Sequence, residues 1–333
     1  MPMIKLQFED GDRAAFLAKS GETVLAAARR AGIPLSSDCE VGDCQTCRAT
    51  CVAGEIEYDE LATVSLNQSE IDAGEILPCV ASAATNLEIR VPYERGKLIA
   101  AKPFSIKVQE IRRLSASVVR LTADVLGLSP LKFLPGQYVN LQVPGTSEWR
   151  SYSMANAPGE KRTLEFLVRV LDDGIMSRYL TERAAPGDIM QCRGPQGTFY
   201  LRNGARPILM IAGGTGVAPM MSMLRQMIAT GERRSFTLCF GVNEDRDLFY
   251  VDELSALAKN LLGGEVRIAI AQGTSRIDAR SGLVTDLLTC ESLMDVDIYL
   301  CGPPAMTDRA REIVLARGAC STSIFSERFC CQP

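Results

Sequence analysis

The chain contains no histidine, and that absence removes several classes of chemistry at once. Rieske clusters take two imidazoles, mononuclear non-haem iron usually takes two imidazoles and a carboxylate, and zinc hydrolases and serine triads lean on the same ring. None of these is expected on these 333 residues. Also missing is any apolar run near the roughly 18–20 residues that a membrane-crossing helix needs, so no membrane association is expected. The opening stretch MPMIKLQFEDGDR alternates apolar and polar residues like a strand and does not set a basic patch before an apolar one. It does not read as a secretion signal, and the expected compartment is the cytoplasm. No short internal repeat and no low-complexity tract is present. A net charge of −4 offers no basic surplus for nucleic acid.

What is present begins with 12 cysteines, too widely spread along a chain without an export signal to read as a disulfide scaffold. Metal ligation and plain burial explain them better. The charge is also unevenly placed. Residues 1–95 hold 16 acidic and 8 basic side chains, a net −8, so the remainder carries +4. An acidic N-terminal third is either an ordinary solvated surface or a docking face for a basic protein partner.

A usual domain size of roughly 100–200 residues predicts two or three domains. Strands are expected at Ile4–Phe8 and Ala14–Ala18, then a helix at Glu22–Ala31 ended by Gly32 and followed by Pro34. A cysteine-rich loop comes next, and Tyr93–Lys102 reads as a linker. From Pro103 the segments Ser105–Ile111, Ser117–Ala123, Gln137–Val143 and Leu164–Val170 are strand-like and punctuated by Pro and Gly, the pattern of a small antiparallel barrel. From Arg206 the chain repeats strand, glycine turn, helix four times, with helices expected at MMSMLRQMIAT, VDELSALAKNL, GLVTDLLT and AMTDRAREIVLARG. Such units imply a doubly wound parallel sheet with its ligand crevice at the carboxyl ends of the strands.

In DCEVGDCQTCRATC, Cys39, Cys44 and Cys47 stand at C-x4-C-x2-C spacing, and Cys79 follows after 31 residues in LPCVA. This is plant-type [2Fe–2S] spacing. A loop opened by Gly42 can wrap three thiolates around one cluster, with the fourth arriving from a distant segment. Buried free cysteines and a zinc site are the competing readings; neither accounts for the spacing in a strand–strand–helix–loop context. Cys51 reads as a small buried apolar residue and not as a fifth ligand.

Three further motifs complete the set. RSYSMAN, Arg150 to Asn156, follows the strand PGQYVNLQVPG. ILMIAGGTGVAPMMSML is strand, glycine turn and helix, but not the G-x-G-x-x-G of an ordinary Rossmann dehydrogenase. CGPPAM, Cys301 to Met306, follows the last expected parallel strand, and the chain closes on FSERFCCQP.

With these motifs the chain resembles a plant-type ferredoxin fused to a ferredoxin reductase. It is most similar in order to the NADH-dependent reductase components of multicomponent aromatic-ring oxygenases of the benzoate or anthranilate 1,2-dioxygenase type. The resemblance implies an α+β and α/β multidomain fold: a β-grasp ferredoxin domain over 1–95, an antiparallel flavin-binding β-barrel over 103–203, and a doubly wound parallel-sheet nicotinamide domain over 204–333. Gln45 stands where most of that family has glycine.

The resemblance also implies the site. A flavin dinucleotide needs a cation for its pyrophosphate, a flat partner for its ring and a hydroxyl near N5; Arg150, Tyr152 and Ser153 match, with Ser151 in the same motif. Leu167, Val168 and Arg169 extend the flavin set. Gly174, Met176 and Ser177 open a helix whose N–H groups can hold the pyrophosphate. The residues alone leave FAD and FMN open, and the domain order implies FAD. Gly213, Gly214, Thr215 and Gly216 would approach the nicotinamide cofactor, and Cys301, Gly302 and Pro303 would lie beside the hydride-transfer position. Glu244, Asp245 and Asp247 fall where the adenosine ribose is read, favouring NADH; Arg246 in the same loop could instead turn toward a 2′-phosphate. The terminal E-x-F element carries to Glu327 and Phe329, while Phe325 and Ser326 fit it less well. Cys330 and Cys331 carry no assigned role.

The implied function is electron transfer from NADH through FAD and a [2Fe–2S] cluster to the terminal oxygenase of a Rieske dioxygenase, by a chain that works as a monomer. The alternatives are the reductase of a diiron monooxygenase or deoxysugar-forming system, and a non-enzymatic redox-sensing subunit. For the cluster, Cys79→Ser is expected to abolish the visible iron–sulfur absorbance and Cys51→Ser to leave it intact, with flavin retained in both. Full cluster content in Cys79→Ser would remove that residue from the ligand set.

Overall fold

The computed structural model describes residues 1–159, 161–289 and 292–329. The chain divides into two units, Met1–Ala100 with Gln196–Thr198, and Ala101–Pro195 with everything from Phe199 onward.

In the first unit, five strands lie in the order Arg13–Leu17, Met3–Gln7, Leu87–Arg90, Ala49–Ala53, Glu75–Ile76. The first two form an antiparallel hairpin, and Met3–Gln7 runs parallel to Leu87–Arg90, the mixed pairing of a β-grasp. Helix α1 (Val24–Arg30) packs its buried Val24, Leu25, Ala27 and Ala28 into this unit. It starts later than its sequence pattern suggests because Thr23 caps it, accepting from the Ala26 N–H at 3.2 Å. Glu22 is spent outside the helix, on the Lys19 N–H and on Arg30. Tyr93, expected to open a linker, is instead a core residue: it is 1% exposed, its ring lies edge-on to Phe8 at 6.1 Å, and its hydroxyl accepts from the Ser36 N–H.

Helix α2 (Gln68–Asp72) begins with a reciprocal capping box between Asn67 and Glu70. The other oxygen of Glu70 receives Arg48 Nη1 at 2.7 Å, and Arg48 Nε reaches Glu75 at 3.2 Å. Glu70 is 3% exposed, so this pair is buried.

The second unit opens with six antiparallel strands in the order Trp149–Ser153, Tyr138–Gln142, Ile189–Gln196, Lys102–Arg113, Val118–Val125, Thr163–Arg169. A bridge between Met154 and Phe166 links the two ends of that order, closing a barrel around Leu121, Val139, Leu141 and Phe166. Helix α3 (Ile175–Arg178) continues into one π turn at Tyr179–Arg183.

The remainder is a parallel sheet ordered Arg280–Ser281, Gly264–Ile270, Phe236–Val242, Ile208–Gly213, Asp297–Gly302, Ile324–Arg328. Helices α4 (Val217–Thr230), α5 (Val251–Lys259) and α6 (Pro304–Ala316) cover it. The helix expected at GLVTDLLT is only a 3-10 turn, Val284–Leu287. Gly282 enters it at φ +128° and the Asp286 carboxylate folds back onto the Leu283 N–H at 2.8 Å, so local turn chemistry replaces a helix. The tail pairs as a sixth strand, Ile324–Arg328 beside Asp297–Gly302.

One apolar core runs through both halves of this unit, joining Val118, Ala155 and Leu167 of the barrel to Met220, Met223 and Leu224 of α4. At Gly136, in the PGQY turn at φ +111°, a Cβ would stand 2.5 Å from Met223 Cε and 2.6 Å from the Phe199 carbonyl; only glycine allows that approach.

Removing one member of a buried ion pair leaves the other charge uncompensated. Glu70→Ala is therefore expected to destabilise the first unit by about 3 kcal/mol, and the half-exposed Lys5–Glu88 pair to contribute well under 1 kcal/mol. The urea midpoint at which the visible cluster absorbance collapses should fall in Glu70→Ala and stay in place in Glu88→Ala.

Candidate functional site

The four cysteines of the cluster motif form two pairs. Cys47 Sγ and Cys79 Sγ are 3.3 Å apart. Cys39 and Cys44 share a thiol hydrogen bond, and the N–H groups of Cys44 and Val41 also point at Cys39 Sγ, at 3.3 and 3.5 Å. The Cys44 thiol and these backbone donors pull Cys39 down to about 5, and Cys79 is lowered chiefly by the Cys47 thiol. The thiolates a cluster needs are thus favoured at one cysteine of each pair. Among the described residues no three ligating side chains converge on one ion. A [2Fe–2S] cluster does not ask for that: each iron takes two protein thiolates, and two pairs are what the loop offers.

The loop's backbone explains how it holds this shape. Gly42 sits at φ +81°, and a Cβ there would lie 1.8 Å from the Thr63 carbonyl oxygen. Glu40 and Gln45 also have left-handed φ, +57° and +58°. Gln45 stabilises its conformation with its side chain, donating to the Ser65 carbonyl at 2.7 Å. Glu40, one of the acids around the loop, is paired with Arg29, which offsets its charge. Cys51 lies on the adjoining strand, half-buried, with its thiol turned to the Ala53 carbonyl and not to the cluster loop.

On the barrel, the Arg150–Ser153 segment is the strand Trp149–Ser153, paired with Tyr138–Gln142. Ser151 donates to Asn140 at 2.7 Å, and Arg150 holds Glu148 at 3.1 Å. Tyr152 packs against the barrel core, where burial pushes its phenol up. Leu167, Val168 and Met176 are all at most 3% exposed, so their side chains are core and only their backbone can face a ligand. Arg169 is exposed. The N-terminus of α3 has no side-chain cap at Gly174, which leaves its first-turn N–H groups available. Ser177 Oγ is occupied as an acceptor for the Leu171 N–H at 2.9 Å, and a Cβ on Gly174 would crowd that oxygen at 2.6 Å.

Ser153 donates to Glu327 at 3.1 Å, across 174 residues of sequence. Glu327 is brought there by register: Ile324–Arg328 pairs with Asp297–Gly302 so that Glu327 stands opposite Cys301. Cys301 is fully buried, and burial together with the Glu327 carboxylate raises its thiol far above the usual range, so it remains a neutral thiol. Phe329 donates its N–H to the Gly302 carbonyl. Phe325 is drawn inward, its ring 5.0 Å from Tyr299, with the Arg202 guanidinium between it and Tyr200 at 4.6 and 3.6 Å. That core role explains why it fits the terminal motif less well.

A cleft of about 340 Å³ opens at the carboxyl ends of the parallel strands. Gly213, Gly214, Thr215 and Pro303 line it, together with Arg169 and Ser117 of the barrel. Gly216 lies behind, where a Cβ would meet the Cys301 carbonyl at 2.2 Å. Of the acidic loop, Asp247 lines the cleft and Glu244 does not. Glu244 holds Arg246 through two bonds, at 2.8 and 3.0 Å, and Asp245 accepts from Thr274 at 2.6 Å. Asn243, which opens the acidic loop, and Met306, which ends CGPPAM, also line the cleft, as does Arg309, which sequence reasoning missed. A signal existed for α6: Ala305 and Arg309 share a face at i, i+4 just past CGPP.

Three family models match in succession: a 2Fe-2S iron-sulfur cluster binding domain over residues 7–84, an oxidoreductase FAD-binding domain over 105–200 and an oxidoreductase NAD-binding domain over 210–312. Fold, cysteine pairs and domain set together define an NADH-dependent iron–sulfur flavoprotein oxidoreductase. The toluate 1,2-dioxygenase electron transfer component of Pseudomonas putida is 36% identical over 330 residues, covering 98% of each chain. The 2-halobenzoate 1,2-dioxygenase electron transfer component of Burkholderia cepacia is 37% identical over 331 residues, covering 98% of this chain and 97% of that one. The chain belongs to this family of dioxygenase electron transfer components. Among solved structures, an Amycolatopsis cytochrome P450 reductase superposes with a TM-score of 0.74 at 28% identity, covering 98% of both chains.

Proposed function

We propose that the protein takes hydride from NADH at the cleft lined by Gly213–Thr215, onto FAD held by Arg150–Ser153, and delivers electrons one at a time through a cluster on Cys39, Cys44, Cys47 and Cys79. The receiver is the terminal oxygenase of a Rieske aromatic-ring-hydroxylating dioxygenase. The assignment takes 1–95, 103–203 and 204–333 as the ferredoxin, flavin and nicotinamide parts of a cytoplasmic monomer. The observation that carries this reading is the Ser153–Glu327–Cys301 corner, where the flavin motif of the barrel meets the strand ends of the cleft.

FAD supplies the exchange between a two-electron donor and a one-electron acceptor. The chain's own groups do the rest. Arg150 and the α3 N–H groups would bind the pyrophosphate, and Tyr152 would lie flat against the ring. The Ser153 hydroxyl donates to Glu327, which would leave its oxygen to face the reactive edge of the flavin. Neutral, fully buried Cys301 would back the tight glycine turn at the nicotinamide end. No side chain needs to act as a general base, in keeping with the absence of histidine.

Sustained NADH-dependent cytochrome c reduction by the purified holoprotein is expected, together with NADH-driven reduction of the Rieske cluster of a toluate-type oxygenase. No turnover with cytochrome c would leave a sensing subunit. Turnover with cytochrome c, but delivery only to a diiron hydroxylase, would move the protein to the monooxygenase systems.

Asp247, which lines the cleft together with Arg309, is the acid that would accept from the ribose 2′-hydroxyl and repel a 2′-phosphate. NADH should therefore exceed NADPH in kcat/KM. Asp247→Ser should narrow that ratio by about tenfold, equivalent to about 1.4 kcal/mol, whereas Glu244→Gln should change it less because Arg246 already occupies that carboxylate. A larger effect at Glu244 would return ribose recognition to it.

A further inference from the structure

The two residues that follow the R-S-Y-S-M segment, Ala155 and Asn156, are held from outside the barrel. Ser222 Oγ donates to the Asn156 carbonyl at 2.7 Å, and Arg225 Nη1 donates to the Ala155 carbonyl at 2.9 Å. Both donors belong to α4, three residues apart and so on one face. That helix starts at Val217, directly after the Gly213–Gly216 turn, of which Gly213, Gly214 and Thr215 line the cleft. One rigid helix thus touches the flavin motif near its middle and carries the nicotinamide turn at its N-terminal end.

Glu165 ties this contact together. On the neighbouring strand its backbone carbonyl accepts from the Ala155 N–H at 2.8 Å, and its own N–H donates to Asn156 Oδ1 at 2.9 Å. Its carboxylate oxygen Oε1 then accepts from Arg225 of α4 at 3.0 Å and from the Tyr250 hydroxyl at the start of α5 at 3.1 Å. Tyr250 is not a glycine, yet it sits at φ +60°, a conformation side chains rarely adopt. It is 6% exposed and packed edge-on to Phe249 at 5.7 Å. Burial and the neighbouring Glu165 carboxylate push its phenol up to about 12, so it stays a donor across the working pH range. Arg120 of the barrel donates to the same phenol oxygen.

We propose that Glu165 is a positioning residue for hydride transfer: through Arg225 it locks the segment carrying Ser153 to α4, and through Tyr250 to the start of α5, and so fixes the separation between the flavin edge and the nicotinamide turn. The proposal rests on the flavin and nicotinamide reading of Ser153 and Gly213–Gly216. It differs from simple adhesion between two halves, which the shared apolar core already supplies. Because hydride transfer falls steeply when the reacting atoms are misplaced, a small loss of register acts on rate before it acts on folding.

The test is anaerobic rapid mixing of flavin- and cluster-loaded protein with NADH, in the wild type, Glu165→Gln and Tyr250→Phe. Glu165→Gln keeps the shape of the side chain but weakens both of its charge-assisted bonds; Tyr250→Phe removes a single hydroxyl. Expected are unchanged flavin content, an NADH Kd within about twofold, and a limiting rate of flavin reduction lowered by about tenfold or more in Glu165→Gln and by less in Tyr250→Phe. Electron passage from flavin to cluster after photochemical reduction should be unaltered. Wild-type reduction rates in both variants would overturn the proposal, and so would a rate loss that merely follows flavin loss. Wild-type protein whose flavin NADH fails to reduce would overturn the underlying site reading, and the proposal with it.

Discussion

A side chain at position 216 would put its first carbon 2.2 Å from the carbonyl oxygen of Cys301, and the cleft is built around that close approach. With hydrogen alone at 216, the turn after the first parallel strand can lie against the end of the fifth, Asp297–Gly302. Those two strands are neighbours in the sheet although more than eighty residues separate them, and successive connections leave in opposite directions on either side of them. The crevice that results is the place where open α/β sheets receive ligands. Gly213 is subject to the same limit, since a Cβ there would meet Met306 Sδ at 2.7 Å. From this packing follows the position of the tail. Ile324–Arg328 adds to the fifth strand in register, Glu327 is carried opposite Cys301, and its carboxylate reaches Ser153 of the barrel.

The cluster loop obeys a comparable constraint with a different solution. Its backbone must turn N–H groups toward sulfur, which takes left-handed residues at 40, 42 and 45. Gly42 meets that requirement by having no Cβ, pressed against Thr63. Gln45 meets it with a side chain whose amide binds the Ser65 carbonyl, and whose oxygen lies 3.4 Å from Arg48 Nη1. Arg48 in turn belongs to the buried Glu70 and Glu75 pair. The departure from glycine at 45 is therefore compensated by a hydrogen bond that anchors the loop to the next segment.

Much of this architecture was legible because it is written locally. Four cysteines at fixed spacing, R-S-Y-S after a strand, and C-G-P after another each occupy a few consecutive residues, and their geometry follows from short-range backbone sterics. What escaped the sequence depends on packing between distant elements. Tyr93 looks like a linker residue until Phe8 and Ser36 are found around it. Glu244 and Asp247 are equivalent as letters, yet one is tied to Arg246 and the other faces the cleft. The stretch at 284–287 has the composition of a helix, but Asp286 turns it back on itself. Glu165 and Arg225, on a strand and a helix about sixty residues apart, carry no motif at all.

The barrel and the parallel sheet could have been joined by apolar packing alone, and the continuous core shows that most of the contact is of that kind. Apolar contact is non-directional and tolerates small slips in register. Hydrogen bonds do not: Ser222, Arg225 and Tyr250 each require a particular acceptor atom within about 3 Å. Glu165 and Arg225 are only partly buried, and an ion pair in such a place adds little net stability, because desolvation and screening offset much of its attraction. Its presence at this junction is better understood through direction than through strength. The apolar core makes the two halves adhere, and the Glu165 network selects the one arrangement in which they do so. Where the cofactors carry the electron chemistry, fixing that distance is the main work left for the polypeptide.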